Sequence, residues 1–132
     1  MSQINSIASS GGGGGGGGTT VSGTGQTIGA VTADIIILNL GSISTAKILE
    51  VKVVGYEATT PLGVGYNLVA TARTNGVAAT LVAAQDKIVF EEGALLAGDC
   101  NFTTAGNTVK VTATGTAALT INWKAVLTYV GV

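Results

Sequence analysis

Apolar and polar residues alternate with a period of two along much of the chain beyond Thr19. In Thr108-Val109-Lys110-Val111-Thr112-Ala113-Thr114, the residues Val109, Val111 and Ala113 point one way while Lys110, Thr112 and Thr114 point the other, the pattern of a half-buried strand. Leu119, Ile121, Trp123 and Ala125 alternate likewise with Thr120, Asn122 and Lys124. A turn at Gly115–Ala118 separates the two runs, so they are expected to pair as a hairpin. Beyond Ala125 the apolar residues Val126, Leu127, Tyr129 and Val130 fall on both faces, and this end is expected to be covered by a neighbour.

Upstream, Lys47–Tyr56 reads as a long strand with Leu49, Val51 and Val53 opposed to Glu50 and Lys52. Its expected partner is Tyr66–Arg73, across a loop at Thr59–Gly63 that holds the only proline, Pro61. Asn75-Gly76 predicts a type I′ turn joining Asn67–Thr74 to Val77–Val82. Ile88-Val89-Phe90 is a further short strand. Glu91–Asp99 reads as a turn-rich passage with room for one helical turn, leading into Cys100–Thr103, and Gly106-Asn107 makes the next tight connection. Val31–Leu40 is an early strand. A helix over Ile35–Leu49 is the alternative there, and Gly41-Ser42 argues against it. About eight strands and no sustained helical period predict an all-β fold, an antiparallel, jelly-roll-like β-sandwich over residues 19–132.

Ahead of this domain stand eight consecutive glycines, Gly11–Gly18. Followed by Thr19-Thr20-Val21, they lack the Gly-Lys-Ser/Thr that a phosphate loop requires. Residues 1–18 therefore read as a flexible arm and tether. Eight glycines span roughly 15 Å as a random coil, enough for Ile4 and Ile7 to dock beyond the sandwich. Gly23-Thr24-Gly25-Gln26-Thr27-Ile28-Gly29 misses dinucleotide spacing by one residue and reads as loop.

Composition narrows the setting. Hydrophobic residues make up 46% of the 132 residues but charged residues only 10%, against roughly 25% in ordinary soluble domains. So little charge leaves the surface apolar and Thr-rich, which points to obligate assembly with copies or partners. Six basic residues and a net charge of -1 give no footprint for nucleic acid. The first ten residues lack the basic and apolar regions of a secretion signal, and the longest apolar run, Ile35–Leu38, is far short of a membrane helix. A soluble protein made in the cytoplasm, with no membrane partner, is the expectation.

The chain has no histidine and one cysteine, Cys100, which excludes an internal disulfide and reads as a buried, inert thiol. The seven acids include the adjacent pair Glu91-Glu92, which lacks a third oxygen-rich neighbour and reads as a solvated turn rather than a metal site. No nucleophile has a base, so neither catalysis, cofactor nor metal is expected. Trp123 reads as the largest core filler rather than a sugar-stacking platform. Tyr56 and Tyr66 flank the Pro61 loop. Together with Pro61 itself, Tyr129 and the arm residues Ile4 and Ile7, they are the candidate partner-binding residues.

The stretch from Phe90-Glu91-Glu92-Gly93 through Leu95-Leu96-Ala97-Gly98-Asp99, Asn107–Thr112 and Leu119–Ala125 resembles the β-sandwich endings of small tailed-bacteriophage virion proteins. The glycine run is similar to the arms of such proteins. The resemblance implies a non-enzymatic structural part of a phage particle, commonly a homotrimer, that decorates the head or belongs to the tail fibre and adaptor apparatus. Its partners would be itself and the major capsid protein or another virion protein. Gly11–Gly18 has no Gly-X-Y period and the chain no coiled coil, which favours a compact capsid decoration or cement protein over a fibre. A tail component binding a host receptor through Thr59–Gly65, and a carbohydrate-binding module using Trp123 or the tyrosines, are the alternatives.

Overall fold

The computed structural model describes residues 18–132, and the period-two runs become nine strands. In chain order these are β1 (Thr19–Ile28), β2 (Thr32–Asn39), β3 (Thr45–Glu57), β4 (Leu62–Thr74), β5 (Ala79–Leu81), β6 (Asp86–Glu91), β7 (Asp99–Ala105), β8 (Thr108–Thr114) and β9 (Thr120–Gly131). A single 3-10 turn, Gly93–Ala97, precedes β7. The strands form an antiparallel β-sandwich. Its large sheet runs β1-β9-β3-β4, with β5 and β6 both against β4, and its small sheet runs β2-β8-β7.

Alternation fixes which face each strand buries. Leu49, Val51 and Val53 of β3, Tyr66 and Leu68 of β4, and Ile121, Trp123, Ala125 and Leu127 of β9 are buried under the small sheet. Ile36 of β2, Phe102 of β7 and Val109, Val111 and Ala113 of β8 oppose them. On β9 the alternation continues to Leu127, and Val126 and Val130 stay exposed on the outer face. Burying these side chains is the main favourable term of the fold, at roughly 25 cal/mol per Å² removed from water.

The predicted pairing of Thr108–Thr114 with Leu119–Ala125 is overturned. β8 pairs with β2 and β7, whereas β9 pairs with β1 and β3, so the two runs face each other across the core. The connection leaves the small sheet at Gly115, whose N–H donates to Val31 O at 2.9 Å, and turns through Ala118 at φ 66°. A Cβ on Gly115 would lie 2.4 Å from Thr27 Oγ1, so this crossing admits only glycine.

Gly23–Gly29, read as loop, lies almost wholly in β1. Its glycines serve close approach: a Cβ on Gly23 would stand 2.1 Å from Ile35 O. There β2 carries a bulge between Asp34 and Ile36, which turns both Ile35 and Ile36 into the core. The Asn75-Gly76 hairpin forms, but not through a type I′ turn. Only Gly76 has a positive φ, and the loop between Thr74 and Ala79 is four residues long. Asn75 Oδ1 instead accepts the N–H groups of Val77 and Ala78, both at 2.9 Å, an Asx turn that competes with the tighter geometry.

β5 and β6 are two pieces of one edge strand interrupted at residues 82–85. In the gap the Gln85 amide binds the backbone of Phe102 on β7 both ways, accepting from its N–H at 2.7 Å and donating to its carbonyl at 3.2 Å. One side chain thus supplies the ladder contact missing between the two sheets, and it covers part of the β7 edge.

Trp123 sits at the centre of the large sheet's inner face. Its ring occupies the space a side chain on Gly55 would need, 2.6 Å from that Cβ position, and its Nε1 donates to the buried Thr27 Oγ1 at 3.0 Å. Replacing Thr27 by Val keeps the shape but orphans the indole N–H. We expect T27V to lose about 1–3 kcal/mol of unfolding free energy in urea titrations with an unchanged m-value; unaltered stability would show the bond to be dispensable.

Candidate partner-binding surface

The β3–β4 hairpin projects the Pro61 loop from one end of the large sheet. Its tip is held by a single carboxylate. Glu57, last in β3 and 3% exposed, turns back on the loop and accepts Thr60 N–H at 2.8 Å, Thr59 N–H at 3.1 Å and the Thr60 hydroxyl. These hydrogen bonds, led by that of the Thr60 hydroxyl, bring its pKa down to about 2. One strand over, Glu92 Oε1 accepts Gly63 N–H at 2.7 Å. The loop is therefore preset, with Pro61 exposed at its tip and Tyr56 half exposed on the outer face below it.

The candidate residues do not gather at one place. Tyr56 and Pro61 share the hairpin end. Tyr66, expected beside them at the surface, is 3% exposed: it points into the core toward Trp123, with ring centroids 6.5 Å apart, and its hydroxyl donates to Glu91. Burial first, then that bond, raises the phenol pKa. The reason is register. Tyr66 stands opposite Val53, an inward position, whereas Tyr56 stands opposite Gly63 on the outer face. Tyr129 is half-buried towards the other end of the sheet, with Lys47 Nζ 5.2 Å from its ring centroid. Ile4 and Ile7 lie outside the described residues.

The side chains that reasoning from the sequence missed are those on the outer face of the large sheet. Val54, Val126, Ile88 and Phe90 are all exposed there, Phe90 at 69%. Cross-strand register sets them in rows: Lys124, Val54, Gly65 and Phe90 in one, Val126, Lys52, Asn67 and Ile88 in the next. The signal was present where apolar residues break the alternation, in Val53-Val54 and in Ile88-Val89-Phe90.

Chemically reactive groups are occupied by the fold. Asp99 is pushed up by burial, but the Lys87 ammonium at 3.0 Å, the Asn101 amide and the Cys100 N–H outweigh this and hold its pKa below the usual value. Cys100 is fully buried, and burial pushes its thiol up to about 12, the expected inert state. Asp34 pairs with Lys110 at 3.0 Å and Glu50 with Lys52 at 3.2 Å, both at the surface. Among the described residues no three of His, Cys, Asp and Glu gather to hold a metal ion.

No family model matches the chain, and no curated protein matches it in sequence. Among solved structures, it is similar to the tailspike protein of Acinetobacter baumannii phage AM24, at 7% identity and a TM-score of 0.39. The overlay covers 83% of this chain and 26% of the tailspike, so the chain spans about a quarter of that protein's length.

The Glu57 cap gives the hairpin a pH dependence of known sign. Its folded pKa lies below the ordinary 4.5, so its contribution is complete above that pH and is lost as pH falls towards 2. In urea midpoints taken across this window, the wild type should fall more steeply than E57Q and converge on it near the acid end. Parallel curves would show that the carboxylate charge contributes nothing.

Proposed function

We propose that the chain is a non-enzymatic structural part of a bacteriophage particle, a capsid decoration or cement protein carried in several copies on the shell. The phage assignment rests on the resemblance of Phe90–Ala125. The observation that carries the structural role is how the surface is spent. Six of the seven carboxylates accept hydrogen bonds that hold turns, strands or ion pairs, while large apolar side chains such as Ile37, Ile48, Val54 and Phe90 stand exposed. Such a surface suits burial against partners better than it suits chemistry on a dissolved substrate. Assembly as a homotrimer, seated on the major capsid protein with residues 1–18 reaching a neighbouring subunit, belongs to the same reading.

A second reading has its own observation. Of the Thr59–Gly65 segment only the tip before Leu62 is loop, the rest being the start of β4; Glu57 and Glu92 preset this hairpin end, which leaves Pro61 and, on β3, Tyr56 accessible, a form suited to receptor contact by a tail component. Trp123 is buried and offers no platform to a sugar, which leaves the carbohydrate-binding alternative without its main side chain.

Purified protein mixed with expanded capsids should cosediment with them and raise their melting temperature, and removal of residues 1–18 should weaken that binding by at least about tenfold. Binding to host cells with none to capsids would favour the tail reading. Unchanged capsid binding after the deletion would remove the arm's role.

A further inference from the structure

The chain enters the sandwich beside an apolar cleft. Gly18 stands just before β1 on the outer face of the large sheet, where a Cβ on it would lie 3.0 Å from Thr128 Cγ2 and 3.7 Å from Val130 Cγ2. Thr128 and Val130 also line a cleft of about 160 Å³, together with Ile48, Glu50 and Val69. Register builds it: Thr128, Glu50 and Val69 form one row across β9, β3 and β4, and Val130 and Ile48 begin the next. Ile48 and Val130 are both exposed, and Glu50 is already held by Lys52 at 3.2 Å, so an apolar occupant meets no bare charge.

We infer that the free chain folds its own arm back into this cleft, with Ile7 as the side chain that fills it. Residues 1–17 carry no charged side chain, and their large apolar ones are Met1, Ile4 and Ile7. Ile7 is the nearest of these to the glycine run, eleven residues before Gly18, a separation that spans roughly 18 Å as a random coil. The cleft is closer than that. Its β9 and β3 walls stand one and two strand spacings from β1, about 5 and 10 Å. The arm therefore reaches it without being stretched, and the glycines bring no side chains to be accommodated on the way. Ile4, at most about 11 Å beyond Ile7, comes within reach of Val126, the next outward residue along β9 from Thr128.

A cleft this small would hold a free peptide poorly. Tethering changes the balance, because a flexible link of this length keeps its end at millimolar effective concentration, and a modest apolar contact is then populated without a large interface. The fold-back takes Ile48 and Val130 out of water before the chain meets its partners. On the proposed shell the arm exchanges its own cleft for that of a neighbouring subunit, keeping the same contacts, as in a domain swap. Only that last step rests on the proposed function.

The test is disulfide capture in the purified full chain under mild oxidation. Cys100 is fully buried and does not compete. Ala8→Cys is combined with Thr128→Cys at the cleft or, as a control, with Thr24→Cys, exposed on β1 on the same face. A8C/T128C should close within one chain at a rate independent of protein concentration, and adding Ile7→Ser or Ile48→Ser should slow it by at least about fivefold. A8C/T24C should not be slowed by either. Closure of A8C/T128C unmoved by Ile7→Ser, equal slowing of the control, or disulfides that form only between chains would overturn the inference. Ile7 lies outside the sandwich, so I7S decides if I48S folds poorly. No capsid is present, so failure of this contact and failure of the proposed function are read separately.

Discussion

The seat of Trp123 is the constraint from which much of the rest follows. The indole is the largest side chain the chain possesses, and it lies on the central strand β9, where it must find room between β1 and β3. Room comes from Gly55, which has no side chain because the ring occupies its place. Polarity is settled by Thr27 on β1, whose fully buried hydroxyl accepts the indole N–H. Thr27 in turn presses against Gly115 at the point where the chain leaves the small sheet for β9. One ring therefore fixes three strands of one sheet and the crossing to the other, and Tyr66 from β4 packs beside it.

Around that centre the polar groups have one shared task, which is to finish backbone hydrogen bonding where strands stop. Glu57 does so for the hairpin tip, Asn75 for the loop after β4, and Gln85 for the break between β5 and β6. Asn107 does it at the far end, where its side chain accepts from Thr74 and donates to Gly41 O at 2.5 Å. An unpaired buried amide costs as much as several favourable contacts contribute, so a chain with few charged residues places them at such points. The outer face of the large sheet mixes Thr and aliphatic side chains with Lys52, Lys124, Asn67, Tyr56 and Phe90.

Period two made the buried faces of β3, β8 and β9 legible from the sequence, because in a half-buried strand alternation and burial are the same fact. It could not assign strands to sheets. β8 and β9 both alternate and both bury their apolar side, yet they lie on opposite sides of the core, and the sterics that separate them, Gly115 against Thr27, involve residues far apart in sequence. β1 was hidden for a related reason: its glycines look like loop until Ile35 is known to lie on them. The candidate surface was half legible. Tyr56 and Pro61 are where the pattern puts them, Tyr66 is one register position away on the buried side, and the apolar outer face announced itself only as interruptions of the alternation.

The order of strands in the large sheet has a kinetic meaning. β9 is inserted between β1 and β3, so that Thr19 stands opposite Tyr129 and Ile28 opposite Thr120. The β3–β4 and β7–β8 hairpins close short loops and can form early, whereas β9 must be recruited across most of the domain before β1 has anything to pair with. Until then the inner edge of β3, a thirteen-residue strand, waits without its neighbour. Such an edge is the place where a nascent chain would pair with another molecule, so the speed at which β9 arrives sets the competition between folding and aggregation during synthesis.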